Sequence, residues 1–326
     1  MINKKNLIVF LSIIGLVIMS CDDDKNDHDD HITDLHVKAV SSAPTLDGNG
    51  NDAVWNEADA LELTLGQTAE YANSFGEVDL TLKAVSYSSN LYILAEWMDP
   101  TTTENVDKNL LTYVDGAWSK SGNEDRMFFM FDMGENGSEG ANCATMCHGG
   151  MMYTETGQVD IWHWKAARTN PLSLADDKYF DNIIGDDGGR HGDAKTISAY
   201  KNNYTKDGAG VITPLYSGPI TDGHYIIIPE GGTTADLTPY TDADINLTIP
   251  GYYLNANATN SGESRHDVSA IGKYSGGKWT VEFKRKLDTG NAHDVEFGQK
   301  NISVTVAVTD NSGGNHSGSA PFNIEF

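Results

Sequence analysis

A pair of cysteines beside a histidine carries the most specific chemistry in this chain. The stretch reads Cys143-Ala-Thr-Met-Cys147-His148, and the only other cysteine is Cys21. Two thiols followed directly by an imidazole is the arrangement that attaches a c-type haem, in which each cysteine adds to a vinyl group and the histidine reaches the iron. The motif therefore predicts covalent haem at Cys143 and Cys147, with His148 as the proximal iron ligand.

The spacing of the two cysteines leaves other chemistry open. Three residues separate Cys143 from Cys147, whereas the usual attachment motif has two. A wider loop can still span the porphyrin edge. The alternatives are a disulfide across this short loop, a half zinc site completed elsewhere in the chain, or free thiols.

The ligand on the opposite side of the iron has two main candidates. His316 is the first choice because it follows the last strand pattern, although its Gly-Gly-Asn-His-Ser-Gly setting is also typical of a solvated loop. His163 is the second choice, and its place between Trp162 and Trp164 also fits a packed residue or one that contacts a haem propionate. Two imidazoles at the iron predict a lower potential than a His/Met pair and leave no vacancy for a substrate.

Four residues around His163 could contact the rest of the cofactor. Arg168 and Lys165 could pair with the haem propionates through charge-assisted hydrogen bonds, or they could be ordinary surface charges. Trp162 and Trp164 could flank the porphyrin, and packing in a core explains them equally well.

The N-terminal residues have the pattern of a lipoprotein signal peptide. Two lysines are followed by an apolar run over residues 7–19 and by the junction Ser20-Cys21. The run is shorter than the roughly 20 residues that a membrane-spanning helix needs. We predict a signal peptide over residues 1–20 and lipidation of Cys21. This lipid anchor would hold the protein in the cell envelope, in the periplasm or at the outer membrane or cell surface.

An acidic segment follows the lipidation site. Residues 21–40 begin with a run of aspartates that cannot bury enough apolar surface to fold, which predicts a flexible tether. The whole chain has a formal net charge of −25 at pH 7. This charge argues against nucleic acid or anionic lipid as a partner and is compatible with a basic redox partner.

Alternating apolar and polar residues predict strands in the remaining chain. Residues 78–85 and 91–97 flank a Ser-Ser-Asn turn, which predicts a hairpin. In a further strand, Trp279–Leu287, the odd positions form an inward face with the exception of Arg285. Other strands are expected at Leu61–Leu65, Arg126–Asp132, His224–Ile228 and Ile302–Thr309. We expect an all-β fold, an antiparallel β-sandwich of immunoglobulin-like or jelly-roll-like type.

The regular spacing of short strands and turns is interrupted in residues 171–265, which are rich in Gly, Asp, Asn and Tyr. We expect one sandwich domain over residues 41–326, in which this region forms long loop insertions over one end. Its densest loop, Asp186–Asp193, has the oxygen-rich composition of a Ca²⁺ site but lacks the ligand spacing of an EF-hand.

Three separated segments resemble known families. The opening segments, APTLDG at residues 43–48 and DAVW at 52–55, resemble sandwich modules related to family 9 carbohydrate-binding modules and the DOMON group. The segment DIWHWKAARTNP at residues 160–171 resembles the haem-binding family typified by the γ subunit of ethylbenzene dehydrogenase. The segment VAVTDNS at 306–312, followed by His316, resembles the last strand and ligand loop of that family.

The resemblance implies a sandwich that holds one haem near its end and exchanges electrons with a partner protein. The γ subunits hold a b-type haem through Met and Lys, whereas this chain has attachment cysteines and places His316 near the expected position of the late lysine. We expect an electron carrier or redox subunit rather than an enzyme, since no nucleophile motif, phosphate loop or organised carboxylate pair occurs. The partner would be a molybdenum oxidoreductase or another cytochrome.

The alternative function is carbohydrate binding by a sandwich module without haem. A disulfide between Cys143 and Cys147 would then cross-link the loop. Solvent-facing aromatic side chains, with Trp118, Tyr252 and Tyr253 as candidates, would stack on sugar rings.

Overall fold

The structure is a computed structural model, and it describes residues 33–66, 76–134, 142, 146, 152–298 and 301–326. Residues 32–326 form one compact unit. The predicted signal peptide, the lipidation site Cys21 and residues 21–32 of the predicted tether lie outside the described residues. The prediction that residues 35–39 belong to a flexible tether is wrong, because they form a strand, and the folded domain therefore begins before residue 41. None of the described helices is long and apolar enough to cross a membrane.

The described residues contain 22 strands and six short 3-10 helices, numbered along the chain. The strands are β1 (Leu35–Ala39), β2 (Leu61–Leu65), β3 (Val78–Tyr87), β4 (Asn90–Met98), β5 (Leu110–Val114), β6 (Ala117–Ser121), β7 (Arg126–Asp132), β8 (Val159–Lys165), β9 (Asp176–Gly192), β10 (Tyr200–Asn202), β11 (Tyr204–Lys206), β12 (Ile212–Pro214), β13 (Tyr216–Gly218), β14 (Ile220–Thr221), β15 (Tyr225–Ile228), β16 (Thr238–Pro239), β17 (Tyr252–Asn255), β18 (Ser269–Ser275), β19 (Lys278–Lys286), β20 (Ile302–Thr309), β21 (Ser317–Gly318) and β22 (Phe322–Glu325). The 3-10 helices are Ala53–Glu57, Asn170–Leu172, Thr234–Asp236, Asp242–Asp244, Ala256–Ala258 and Ser264–His266.

The main strands form the two layers of a β-sandwich. One layer has the order β18-β19-β4-β3 with β2 beside β3, and the other has the order β22-β20-β7-β8-β9 with β21 beside β20. Strand β1 belongs to both layers: residues 35–36 pair with β22 and residues 37–39 pair with β3, in parallel in each case. The other pairs within the two layers are antiparallel. The expected all-β sandwich is confirmed.

Large aromatic side chains fill the space between the two layers. Trp164 of β8 lies 5.0 Å from Trp279 of β19 and 6.2 Å from Trp97 of β4, measured between ring centroids. Each ring removes a large apolar surface from water, so such contacts dominate the stability of the core. The packing is close at Gly272, where a Cβ would meet the indole of Trp164 at 2.5 Å.

The prediction that Arg285 does not belong to the inward face of its strand is wrong. The strand predicted at Trp279–Leu287 spans Lys278–Lys286, and Arg285 points inward like the other odd positions, with 1% of its surface exposed. Its guanidinium pairs with the carboxylate of Asp160 and lies 5.0 Å from the ring centroid of Trp162. An arginine can occupy this core position because a carboxylate and aromatic faces replace its hydration.

The region predicted as loop insertions contains additional strands. Three small sheets, β10-β17-β15-β14, β11-β12 and β13-β16, surround a second set of buried apolar residues. The predicted Asp186–Asp193 loop lies almost entirely within β9. The chain reverses direction near Gly188, which has a φ of +68°, so the amide of Asp193 reaches the carbonyl of Asp177 at 3.4 Å. Glycine allows this reversal because it has no Cβ to clash at positive φ.

Candidate functional site

A cavity of about 220 Å³ opens on the outer face of the layer that contains β7, β8 and β9. The side chains that give it an apolar wall are Phe128, Met130, Met152, Ile161 and Phe180. The polar and charged side chains that line it are His163, Lys178, Arg190, Thr305 and His316. Two of the predicted site residues, from distant parts of the chain, therefore line the same cavity.

Strand β8 separates this cavity from the sandwich core. Successive side chains of a strand point to opposite faces, so Ile161 and His163 line the cavity while Trp162 and Trp164 pack between the layers. All seven residues of β8 are buried because both faces of the strand are covered. The two tryptophans are core residues and do not line the cavity.

His163 is the most buried histidine of the cavity, with 5% of its surface exposed. Its Nε2 atom is buried and has no hydrogen-bond partner among the described residues. Burial, together with the positive charge of Lys165, holds the pKa of His163 well below its usual value of 6.5. The ring is therefore a neutral imidazole at physiological pH, which is the form that ligates metals.

His316 reaches the same cavity from the loop after β20. Its ring centroid lies 6.1 Å from that of Phe128, and its Nδ1 lies 2.9 Å from the carbonyl oxygen of Gly314. Nδ1 must carry a proton to donate to this carbonyl. In that tautomer Nε2 carries the lone pair. Arg126 holds the loop in place, since its Nη1 donates to the carbonyl of Gly313 at 3.2 Å.

The cysteine–histidine motif is described only in part, because Cys143, Cys147 and His148 lie outside the described residues. Met146, from the same motif, is described and has 4% of its surface exposed. It belongs to a small apolar cluster with the cavity residues Met130, Ile161, Phe180 and Met152. One residue of the motif therefore packs with the cavity wall.

Lys165 and Arg168 have other partners and do not line the cavity. The Nζ of Lys165 forms an ion pair with the carboxylate of Asp176, and it also lies 2.9 Å from the hydroxyl of Tyr200. Arg168 donates from Nε to a carboxylate oxygen of Glu124 at 2.7 Å. These contacts place both cations in a buried polar network beyond the end of β8.

Two other cations, Lys178 and Arg190 of β9, line the cavity instead. Arg190 donates from Nε to Asp187 at 2.8 Å. Among the described residues no carboxylate lies within ion-pair distance of Lys178. Burial, followed by the charges of Arg265 and Arg190, holds the pKa of Lys178 well below 10.5. Sequence reasoning missed both cations, since the register that pairs Ile161 with Lys178 is a tertiary property.

Thr305 of β20 adds a second unpartnered polar group to the cavity. Its side chain is 1% exposed, and its Oγ1 atom has no hydrogen-bond partner among the described residues. Buried polar atoms nearly always have a partner in a native protein, because an unpaired group loses its hydration without compensation. Nε2 of His163 is the other such atom among the residues that line the cavity.

The whole cavity falls within a region that matches a known family. A sequence profile described as Ethylbenzene dehydrogenase matches residues 52–320. This chain belongs to the ethylbenzene dehydrogenase family. The matched region includes all the strands and the loop that line the cavity.

Two of the solved structures that match this chain illustrate how low the similarity is. One is a protein from Bacteroides uniformis ATCC 8492 described as carbohydrate-binding, with 8% identity over 89% of each chain and a TM-score of 0.36. The other is a family 9 carbohydrate-binding module from Caldicellulosiruptor kristjanssonii in complex with glucose, with 9% identity over 89% of this chain and 95% of that chain and a TM-score of 0.36. Similarity at this level carries no information about the ligand. No curated protein matches this chain significantly.

Proposed function

We propose that this member of the ethylbenzene dehydrogenase family is an electron-transfer protein that binds one haem in the cavity on the outer face of β7, β8 and β9. Cys143 and Cys147 would attach the haem covalently. The observation that carries the proposal is a mainly apolar cavity lined by His163 and Thr305, whose Nε2 and Oγ1 atoms are buried and have no hydrogen-bond partner in the described residues. Nε2 is a common iron ligand.

The residues of the cavity fit a haem in their chemistry. Phe128, Ile161 and Phe180 offer apolar surface to a porphyrin and exclude water from the iron. Lys178 and Arg190 would pair with the propionates, the role that the sequence suggested for Lys165 and Arg168. A bound haem supplies reversible one-electron chemistry at its iron.

We assign His148 and His163 as the two iron ligands. Attachment at Cys147 brings the adjoining His148 to the iron. His163 is preferred on the other side because it is buried, neutral and unpartnered at Nε2 within the described residues. The sequence suggested His316 as the first choice and His163 as the second, so our choice of His163 reverses that order. Protein ligands at both positions leave no vacancy for substrate, which supports electron transfer rather than catalysis.

We further propose that the protein works at the cell envelope beside an oxidoreductase. The family carries the name of a dehydrogenase, and a dehydrogenase must pass its electrons to an acceptor. A molybdenum oxidoreductase or another cytochrome is the proposed partner. Lipidation of Cys21 would anchor the carrier to the membrane, and the acidic residues after it would act as the tether.

The carbohydrate-binding alternative gains little support from its candidate residues. Tyr253 has 8% of its surface exposed and packs in the second apolar cluster. Trp118 is half-buried against Tyr240, with 5.5 Å between the ring centroids. The guanidinium of Arg168 lies 5.0 Å from the ring centroid of Tyr252. The three aromatic rings therefore do not form an open platform for sugar stacking.

The visible spectrum of the matured protein tests the proposal. Protein produced with cytochrome maturation factors should show sharp reduced-haem bands, and the haem should remain with the polypeptide after acid–acetone extraction. The tryptic peptide that contains Cys143 and Cys147 should carry the mass of a haem. A colourless preparation, or a peptide with only the mass of its amino acids, would overturn covalent haem binding; a disulfide would appear as a loss of two hydrogens.

A further inference from the structure

A buried group of aspartates lies on the face of β9 opposite the cavity. One carboxylate oxygen from each of Asp177, Asp193 and Asp294 lies within 4.8 Å of the others, and all three residues are buried. Asp267 is linked to them through Asn291, whose Nδ2 donates to Asp294 at 3.2 Å and to Asp267 at 3.3 Å. We call Asp177, Asp193, Asp267 and Asp294 the acidic cluster.

Several carboxylate oxygens of the acidic cluster have no hydrogen-bond partner among the described residues. Asp177 has 0% of its surface exposed, and neither of its carboxylate oxygens has a hydrogen-bond partner among the described residues. One further oxygen on each of Asp193, Asp267 and Asp294 is buried and unpartnered in the same way. Several orphaned oxygens at one point indicate a missing donor or cation.

The cations nearby compensate the charge of the acidic cluster only in part. Arg285 lies closest, with its Nη1 3.9 Å from Asp177, but its guanidinium already pairs with Asp160. Arg265 donates from Nη1 to the main-chain carbonyl of Asp177 at 2.8 Å, and its Nε is 3.2 Å from the carboxylate of Asp176. Buried carboxylates without a counter-ion are strongly unfavourable.

We propose that the acidic cluster binds a Ca²⁺ ion. All its donor atoms are oxygens, and the four carboxylates can supply the six to eight oxygen ligands that Ca²⁺ takes, in mono- or bidentate modes. No cysteine or histidine belongs to the described cluster, so Zn²⁺ is disfavoured. Hydroxyl donors orient two of the carboxylates: Ser264 donates to Asp193 at 2.6 Å and Thr289 donates to Asp294 at 2.6 Å.

This site differs from the calcium loop expected from the sequence. Asp186 and Asp187 lie exposed at the turn of β9. Asp193 is the one residue that belongs both to the expected calcium loop and to the acidic cluster. The cluster joins three segments that are distant in sequence: β9 with Asp193 directly after it, the turn before β18 with Asp267, and the loop between β19 and β20 with Asp294. A bound ion would therefore cross-link the edge of the sandwich, and this role does not depend on haem binding.

Metal-dependent stability of the full-length mature protein tests the site. After chelation with EGTA, added CaCl₂ should raise the melting temperature in a saturable manner, and elemental analysis after dialysis should find one calcium per chain. MgCl₂ at equal ionic strength should give a smaller shift, because Mg²⁺ demands octahedral geometry and retains its water. Asp177→Asn should abolish the calcium-dependent shift, and the matched exposed variant Asp187→Asn should keep it.

Two results would overturn the proposal. One is a wild-type protein that retains no calcium and melts at the same temperature with EGTA and with CaCl₂, which would mean that the carboxyl groups share protons instead. The other is an Asp177→Asn variant with an undiminished calcium response. If that variant does not fold, displacement of Tb³⁺ by Ca²⁺ on the wild-type protein, followed by Tb³⁺ luminescence, decides between one saturable site and none.

Discussion

Phe128 and His163 are direct cross-strand partners in β7 and β8, and their ring centroids lie 4.2 Å apart. Both side chains point away from the sandwich core, which is occupied by their neighbours in each strand. The pair therefore forms a floor for the cavity, with an apolar ring beside an imidazole. A rigid strand pair positions a ligand more accurately than a surface loop does.

The two histidines of the cavity should respond differently to substitution. His163→Ala should convert a six-coordinate, low-spin haem to the high-spin form, because it removes the ligand that we assign opposite His148. His316→Ala should keep the low-spin spectrum. Visible absorption of both oxidation states checks this, and a high-spin His316→Ala protein beside a low-spin His163→Ala protein would reverse the assignment.

Removal of the thiols should change how the haem is held. Cys143→Ser and Cys147→Ser should each leave one thioether bond, and the double variant should lose its haem to acid–acetone extraction. The haem-stain signal on a denaturing gel and the peptide mass measure this. If the double variant retains haem after extraction, the attachment does not involve these cysteines.

A protonated Lys178 paired with a haem propionate should raise the reduction potential. Ferrous haem carries one positive charge fewer than ferric haem, so a nearby cation favours the reduced state. Lys178→Met should therefore lower the midpoint potential in a spectroelectrochemical titration. Lys195→Met, at an exposed position, is the matched control. Equal potentials for the wild type and both variants would place Lys178 away from the haem.

The buried pair of Arg285 and Asp160 should be a large contributor to stability. Arg285→Met leaves a buried carboxylate without its partner, which should lower the free energy of unfolding by about 3–5 kcal/mol. The double variant with Asp160→Asn should recover part of this loss. Urea denaturation measures the change, with the exposed Lys286→Met as control. A loss no larger than in that control would contradict the prediction.

Asp125 should make stability depend on pH. Burial raises its pKa to about 7, although Trp279 and the amide of Asn311 donate to its carboxylate. The folded state then binds more protons than the unfolded state above the usual carboxyl pKa, so this contribution is present at low pH and is lost as the pH rises to about 7. This contribution of Asp125 to the free energy of unfolding is at most about 4 kcal/mol.

Asp125→Asn is the substitution that tests this dependence. It keeps a side chain of the same shape without charge, and the variant should lose less stability than the wild type between about pH 4 and pH 7, the span of the pKa shift. Denaturation curves at a series of pH values provide the measurement. Identical pH profiles for the two proteins would show that the titration of Asp125 is not linked to folding.

Local pattern was sufficient for several strands and for some of the chemistry. The strands Leu61–Leu65, Arg126–Asp132 and Ile302–Thr309 have the predicted bounds, because a run of strand-forming residues bounded by turn residues is a property of neighbouring positions. The singling out of His163 and His316 also came from local motifs, and the fold places both at one cavity.

The composition of the cavity wall and of the acidic cluster depended on long-range pairing. Lys178 faces the cavity while Asp177 faces the opposite side, because the β8–β9 register sets which face each residue of β9 occupies. Arg285 is buried because Asp160 lies across the core from it. Asp160 and Arg285 are more than 100 residues apart in the sequence, so no local periodicity contains this pair, and only the packing of the two layers brings their charges together.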